Sequence, residues 1–469
     1  MNRHAFRKRA IGATAFCAVA GLAVAQTLPQ PGDSTQAGTL LHFGLQSSLR
    51  HDSNLDLAHT SPGSSTILDN TLSVGMTSVT RQSSFLLDLS GILRAASTPA
   101  SVRDASFDGQ KVKLGYKRIG PSSSLELGGS YDRISLQFLD PLSQTMLNGT
   151  DLVPTKGTRR QFQANAQYTL GADGPYGLTL EARTFGRRYD GAGSQFYDST
   201  NTRVTATGRM ELNKDNALLL SLMSGNYAAR DSNATHERQQ SVALTFGHNI
   251  DKDNQLKLTV GLLRQKIDSL TSTSNRTRPL FTVVYAHSNG SATQTATLDH
   301  RLTPSGNRDT LTFQHRTDLP TGLLSFMIGA SRTEGRSAQA IGALDYVLDG
   351  PRGRFSVRLS RSVSSPWDLT GLDTQEELLT RAAASYRVHV NELTGLRFTV
   401  DFARSDPGNS SGGNSTQASN VTAAYERALT RDWQLSAGLT HRNRRDPVSG
   451  AAAGNAVFLT LARSFSIRP

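Results

Sequence analysis

The chain has 469 residues, of which 37% are hydrophobic and 7% aromatic, and a formal net charge of +12. A mean hydropathy of −0.37 leaves no room for a bundle of membrane helices, each of which needs about 20 consecutive apolar residues. A single Cys cannot pair within the chain, which excludes a disulfide scaffold, and the even recurrence of Leu, Val, Phe and Tyr argues against disorder. In chain order, the first feature is a leader. Arg3, Arg7, Lys8 and Arg9 precede an uncharged Ala-rich run from Ala10 to Ala25 that closes in Ala23-Val24-Ala25, so residues 1–25 read as a signal peptide. Cys17 follows the bulky Phe16 and reads as part of that leader, not as a lipoprotein site. Its removal leaves about 444 residues with no Cys and a net charge of about +8. Such a cationic balance often marks nucleic-acid binding. Export and the even scatter of Arg argue against that partner here.

After the leader, period two dominates. Leu41, Phe43, Leu45 and Leu49 alternate with His42, Gly44, Gln46, Ser48 and Arg50. Phe162, Ala164, Ala166, Tyr168 and Leu170 alternate with Gln161, Gln163, Asn165, Gln167 and Thr169. The pattern returns at Val204–Leu212 and again at Leu396, Phe398, Val400 and Phe402. Alternation of this length is a strand with one apolar and one polar face, long enough to cross hydrocarbon at a tilt.

The connectors sort by parity. Short turns are expected at 80–83, 119–122, 171–175, 213–216, 251–254, 349–353, 391–392 and 430–432. Between them lie longer polar stretches at 51–65, 95–107, 137–157, 187–199, 266–276, 362–374, 404–416 and 442–454. Outer-membrane barrels alternate tight periplasmic turns with longer external loops, whereas a soluble sandwich has no reason to do so. The expected fold is therefore all-β: a transmembrane antiparallel up-and-down barrel of about 22 strands (18–22, with 281–332 ambiguous) and no separate plug domain. Residues 26–38 read as a short periplasmic tail and 39–469 as the barrel. The Gly-, Ser- and Asn-rich run 408–415 falls on an external loop.

On these features the chain resembles Gram-negative outer-membrane β-barrel proteins. The segment Phe43-Gly44-Leu45-Gln46-Ser47-Ser48-Leu49-Arg50-His51-Asp52-Ser53-Asn54-Leu55 is similar to the first strand and loop of an uncharacterised β-barrel porin group, some members of which accompany exopolysaccharide systems. Val457–Phe465 resembles the terminal signal read by the barrel assembly machinery, except that Ser466-Ile467-Arg468-Pro469 follow the aromatic residue. TonB-dependent receptors share the strand number but carry a large N-terminal plug, for which residues 26–38 are too short. The resemblance implies a cell outer-membrane location, with lipid and the assembly machinery as partners.

The polar strand face is the candidate site. Its expected pore-lining cations are Lys111, Lys113, Lys117, Arg183, Arg203, Arg209, Lys257, Arg354, Arg358, Arg381, Arg387 and Arg397, joined by Arg50, Arg94 and Arg159. Acids on this face are about half as many, with Asp88, Glu126, Asp132, Glu181, Glu211, Asp401 and Glu426 the clearest. Excess lumen cation favours anions. The expected function is therefore a porin-like channel for passive diffusion or export of polar, preferably anionic, solutes such as acidic saccharides. The alternative is a non-conducting structural or adhesive barrel that acts through its external loops. The apolar residues Leu139, Leu142, Met146, Leu147, Leu152 and Val153 mark connector 137–157 either as folded into the lumen or as packed on the rim. His287-Ser288 would point to opposite faces of a strand, so no Ser–His site is expected and the chain does not read as an enzyme. Asp251-Lys252-Asp253-Asn254 lacks the Gly and terminal Glu of a calcium loop and reads as a tight turn. No cofactor or metal is expected. Tyr116, Tyr131, Tyr168, Tyr346, Tyr386, Tyr425 and Trp433 are candidates for interfacial girdles.

Overall fold

A computed structural model describes residues 37–99, 101–139, 142, 156–192, 196–303, 305–363, 377–407, 415–447 and 450–469. The expected leader, nearly all of the tail that follows it and most of the 408–415 run lie outside these residues. The strands, in chain order, are β1 (Gly38–Asp52), β2 (Ser65–Val79), β3 (Ser83–Thr98), β4 (Ser101–Ile119), β5 (Ser123–Ser135) and β6 (Thr158–Leu170). They continue with β7 (Tyr176–Asp190), β8 (Ser199–Glu211), β9 (Asn216–Ala229), β10 (His236–Asn249), β11 (Asn254–Asp268) and β12 (Thr273–Asn289). Next come β13 (Ala292–Thr303), β14 (Gly306–Leu319), β15 (Gly322–Thr333), β16 (Gln339–Gly350) and β17 (Gly353–Val363). The last are β18 (Glu377–His389), β19 (Thr394–Pro407), β20 (Thr416–Ala428), β21 (Trp433–Asp446) and β22 (Gly450–Ile467). Among the described residues, no helix is long and apolar enough to cross a membrane.

Each strand pairs antiparallel with its chain neighbour, and β22 returns to β1 to close a 22-stranded ring. Closure matters because hydrocarbon offers no partner for an unpaired backbone N–H. The seam runs from Leu41↔Ile467 to Asp52↔Ala456. On its outer face Phe43 stacks on Phe465, with centroids 5.2 Å apart. Residues 466–467, which follow the terminal aromatic, are thus still part of the seam.

The alternating faces are as the sequence reads. Exposed Leu45, Leu49, Leu72, Leu89, Leu180, Leu222, Val260, Ile328, Val400 and Leu459 form the outer band. At the turn end Tyr346, Phe355 and Tyr386 meet edge to face at 6.3 and 6.4 Å, and Arg463 lies over Trp433 at 5.4 Å. Such amphipathic rings suit the headgroup level. The turns are built locally. In the turn at 250–253, Asp251 Oδ1 accepts the backbone N–H groups of Asp253 (2.8 Å) and Asn254 (2.9 Å). The Asn254 side chain also donates to this carboxylate and holds it below the usual carboxylate range.

The other end differs from the sequence reading. Three expected long connectors, 95–107, 266–276 and 442–454, are mostly strand. β3 and β4 continue to Thr98 and from Ser101, β11 and β12 to Asp268 and from Thr273, and β21 and β22 to Asp446 and from Gly450. These hairpins stand above the apolar band, where neither face needs to be apolar, so the alternation that marks a strand fades. The ambiguous stretch resolves into β12 to β15. The β3–β4 register shifts twice, between Ser90 and Ile92 and again between Ala96 and Thr98, and the first shift lies within the wall. Between Ser90/Lys111 and Ile92/Asp108 the register shifts at Gly109, whose φ of +59° a side chain would resist. Below it Lys111 and Lys113 face inward, and above it Asp108 does.

Phe465→Ala should lower stability by about 1 kcal/mol, because the stacked pair bridges the closing seam. The check is a lower urea midpoint for loss of the heat-modifiable folded band in a denaturing gel.

Candidate functional site

The site is built from the strand positions opposite the apolar band, which together form the lumen wall. All twelve cations expected from the sequence lie on this face. Lys111 stands opposite Asp132, Lys113 opposite Asp88 and Lys117 opposite both Ser84 and Glu126. Arg183 stands beside Arg203, and Arg354, Arg387 and Arg397 form a lateral row on β17, β18 and β19.

Six of these twelve cations form ion pairs with acids on the same face. Arg183 pairs with Glu181, and Arg209 pairs with Glu211 while donating to the carbonyls of Gly171, Ala172 and Gly174. Arg358 lies 2.6 Å from Asp345, Arg354 lies 3.4 Å from Asp349, and Arg387 and Arg397 share Glu426. The lumen cations are therefore part of the wall as well as facing the lumen. Arg381 and Lys257 sit on the same face, Arg381 opposite Ala403 and Lys257 opposite Gly247.

Exposure divides the lumen into two zones. In the middle and turn-side half, the side chains of Arg183 and Arg354 are 53% and 63% exposed. At the loop end, Arg94 and Arg442 are each only 6% exposed. Arg159, Arg187 and Arg444 are buried there too, with Asp52, Asp108, Glu237 and Gln265. Arg94 donates from Nε to Asp69 and from Nη1 to Asp108, both at 2.7 Å, and its guanidinium lies 4.2 Å from the Phe138 ring centroid. Arg442 donates to Asp52 and, at 3.2 Å, to the Asn54 carbonyl. Gln239 and Gln265 both donate to one carboxylate oxygen of Glu237.

The chain's own connectors cover these groups. In the connector 53–64, Asn54 donates to the carbonyls of Ala58 (2.8 Å) and Ala453 (3.1 Å). Leu57 is buried with a φ of +46°, a left-handed conformation that a leucine adopts only when its surroundings hold it. Leu55 joins Ile67, Ala96 and Phe138 in an apolar cluster. The connector after β5 begins with a 3-10 turn at Leu136–Phe138. Leu142 then packs against Ala403 of β19 and Ala418 of β20, on the far side of the closing seam. Of the two sequence readings of this connector, folded inward or packed on the rim, the placement of Leu142 favours the first. Gly454 of β22 lets the first connector approach, since a Cβ there would lie 3.0 Å from the Asn54 carbonyl oxygen.

Sequence reading missed Arg187, Arg442 and Arg444 because they fall in stretches read as external loop. The signal was present in Arg442-Asn443-Arg444-Arg445-Asp446, where period two continues without apolar residues to mark it. His287 faces Asn254 at 2.9 Å and Ser288 faces Thr293 at 3.5 Å, on opposite faces of β12.

No protein-family model matches the chain, and no curated protein matches it. Solved structures do. The FrpB iron transporter of Neisseria meningitidis matches with a TM-score of 0.57 at 8% identity, covering 92% of this chain and 82% of that one. A mutant of the ferric enterobactin receptor PfeA of Pseudomonas aeruginosa, in complex with enterobactin, matches with a TM-score of 0.51 at 12% identity, covering 93% and 82%. The siderophore receptor PirA of the same organism matches with a TM-score of 0.50 at 9% identity, covering 93% and 81%. The fold is that of the outer-membrane β-barrels, in the size class of these receptors.

Two expectations from the sequence are corrected. The 22-stranded antiparallel barrel stands, but the expected fold class without a plug is not the class of the matching folds, which are siderophore receptors and an iron transporter. The physical reason is diameter, which grows with strand number: porins of 16–18 strands leave a channel, whereas 22-stranded transporters have a filled lumen. The passive-diffusion reading, whether for uptake or export, falls with it.

Arg442→Ala should cost about 3–5 kcal/mol, since it strands the fully buried Asp52 carboxylate. The measurement is the urea midpoint, together with new protease cleavage within 53–64.

Proposed function

We propose that the chain is a receptor-type uptake barrel of the outer membrane, which captures a small solute at its loop-side mouth and passes it only when the packed connectors give way. The carrying observation is the loop-end packing, in which Leu142 sits on Ala403 and Ala418 and Arg442 is buried on Asp52. An open diffusion pore has no use for a buried ion pair and an apolar cluster across its mouth.

The solute class is an iron chelate of the siderophore type, since two of the matching structures are named as a ferric enterobactin receptor and a siderophore receptor. Behind the mouth stands the row Arg354, Arg387 and Arg397, with guanidinium groups suited to carboxylate or catecholate oxygens. Passage needs no covalent step. Export by a leader at residues 1–25 belongs to the same reading.

The refolded chain in a planar bilayer should be closed or should open only briefly. Removing 137–156, or wedging the first connector with Gly454→Val, should give steady conductance. Ferric enterobactin, used as probe, should bind saturably by calorimetry with a Kd of roughly micromolar or tighter. Steady large conductance from the unaltered chain, with no saturable binding of the chelate up to about 1 mM, would overturn the reading.

A further inference from the structure

We propose that the outer wall of β5, β6 and β7 carries a binding site for the phosphorylated headgroup of an outer-leaflet lipid, formed by Arg133, Arg160 and Arg188. Arg133 is the direct cross-strand partner of Arg160, and Arg160 of Arg188. All three are exposed and share the face of Tyr131, Tyr168 and Leu180, which is the lipid face. The three guanidinium groups thus stand side by side across three neighbouring strands, outside the barrel and apart from the lumen cations.

The level of this row on the wall identifies its partner. One step nearer the turn end lies the row Tyr131, Phe162 and Gly186. On β6 the outward residues from Phe162 to Leu170 are all apolar or aromatic. At about 3.4 Å per residue and a tilt near 40°, that run covers about 21 Å, close to the height of the apolar band of a membrane barrel. The arginine row is the first outward row beyond the band at the loop end, which is the level of the outer-leaflet headgroups.

The electrostatics point the same way. Like charges directly opposite on paired strands are destabilising. Asp190 offsets part of the charge, lying 2.6 Å from Arg160. Among the described residues, no acid pairs with Arg133 or Arg188. A phosphate bound across the row would remove the repulsion, accepting two parallel N–H donations from each planar guanidinium it meets. The apolar wall below would receive the acyl chains of the same molecule. A free phosphate has no use for that wall.

The test uses the full-length folded chain in detergent micelles, with bisphosphorylated lipid A as probe and native mass spectrometry and thermophoresis as readouts. One lipid should bind tightly, and its dephosphorylated form at least tenfold more weakly. The triple change Arg133→Gln, Arg160→Gln and Arg188→Gln should weaken binding at least tenfold. The charge-matched triple Arg361→Gln, Arg404→Gln and Arg445→Gln should leave it within twofold. Should the first triple fail to show the heat-modifiable folded band, Arg133→Gln and Arg188→Gln singly should each weaken binding about threefold. Equal binding by the first triple, equal loss in the control triple, or equal affinity for the dephosphorylated lipid would overturn the proposal. So would arginine-dependent binding of inorganic phosphate without binding of the lipid.

Discussion

The structure depends on closure of one hydrogen-bonded ring. In hydrocarbon every backbone N–H and C=O must find its partner within the protein, and only a sheet without edges achieves this with strands. The β1–β22 seam is therefore the constraint from which the rest follows. Closure sets the outer face to be apolar and leaves the inner face to water, ion pairs and polar side chains. It also makes the strand count a functional quantity, because the count sets the width of the lumen.

Width in turn explains the loop end. A ring of 22 strands leaves a mouth far wider than a small solute needs, and this chain narrows it with its own connectors. The filling resembles the core of a soluble protein in miniature. Leu55, Ile67, Ala96 and Phe138 supply the apolar part, and Asp52–Arg442 and Asp69–Arg94–Asp108 supply buried, paired charge. Such pairs add little net stability over apolar groups of equal size, but removing either partner is costly. They hold the loop-end connectors in one geometry. Below the mouth the same residue types stay solvated, and their ion pairs are correspondingly weak.

The arginine rows show how one residue serves three environments. Buried at the mouth, the guanidinium is held by carboxylates and carbonyls, as Arg94 is by Asp69 and Asp108 and Arg442 by Asp52 and the Asn54 carbonyl. In the solvated lumen it pairs with acids of its own or nearby strands, and Arg387 and Arg397 share the one carboxylate of Glu426. On the outer wall the row on β5, β6 and β7 lies where hydrocarbon gives way to headgroups. Strand parity and height on the wall separate the three roles, and residue type does not.

Period-two alternation determined by itself that these residues form long, two-faced strands, because only a strand turns successive side chains to opposite faces. It also placed Lys111 through Arg397 on the lumen face, and sorted the turns at one end from the connectors at the other. It could not show how far the hairpins rise beyond the band, because both faces are polar there and the alternation loses its contrast. Arg187, Arg442 and Arg444 were hidden for that reason, and Asp108 by the bulge at Gly109. Only the tertiary structure decided that Leu142 meets Ala403 and Ala418, a contact across more than 250 residues of sequence with no local signature. Alternation is a property of neighbours in the chain, whereas filling a mouth is a property of residues that the closed ring brings together.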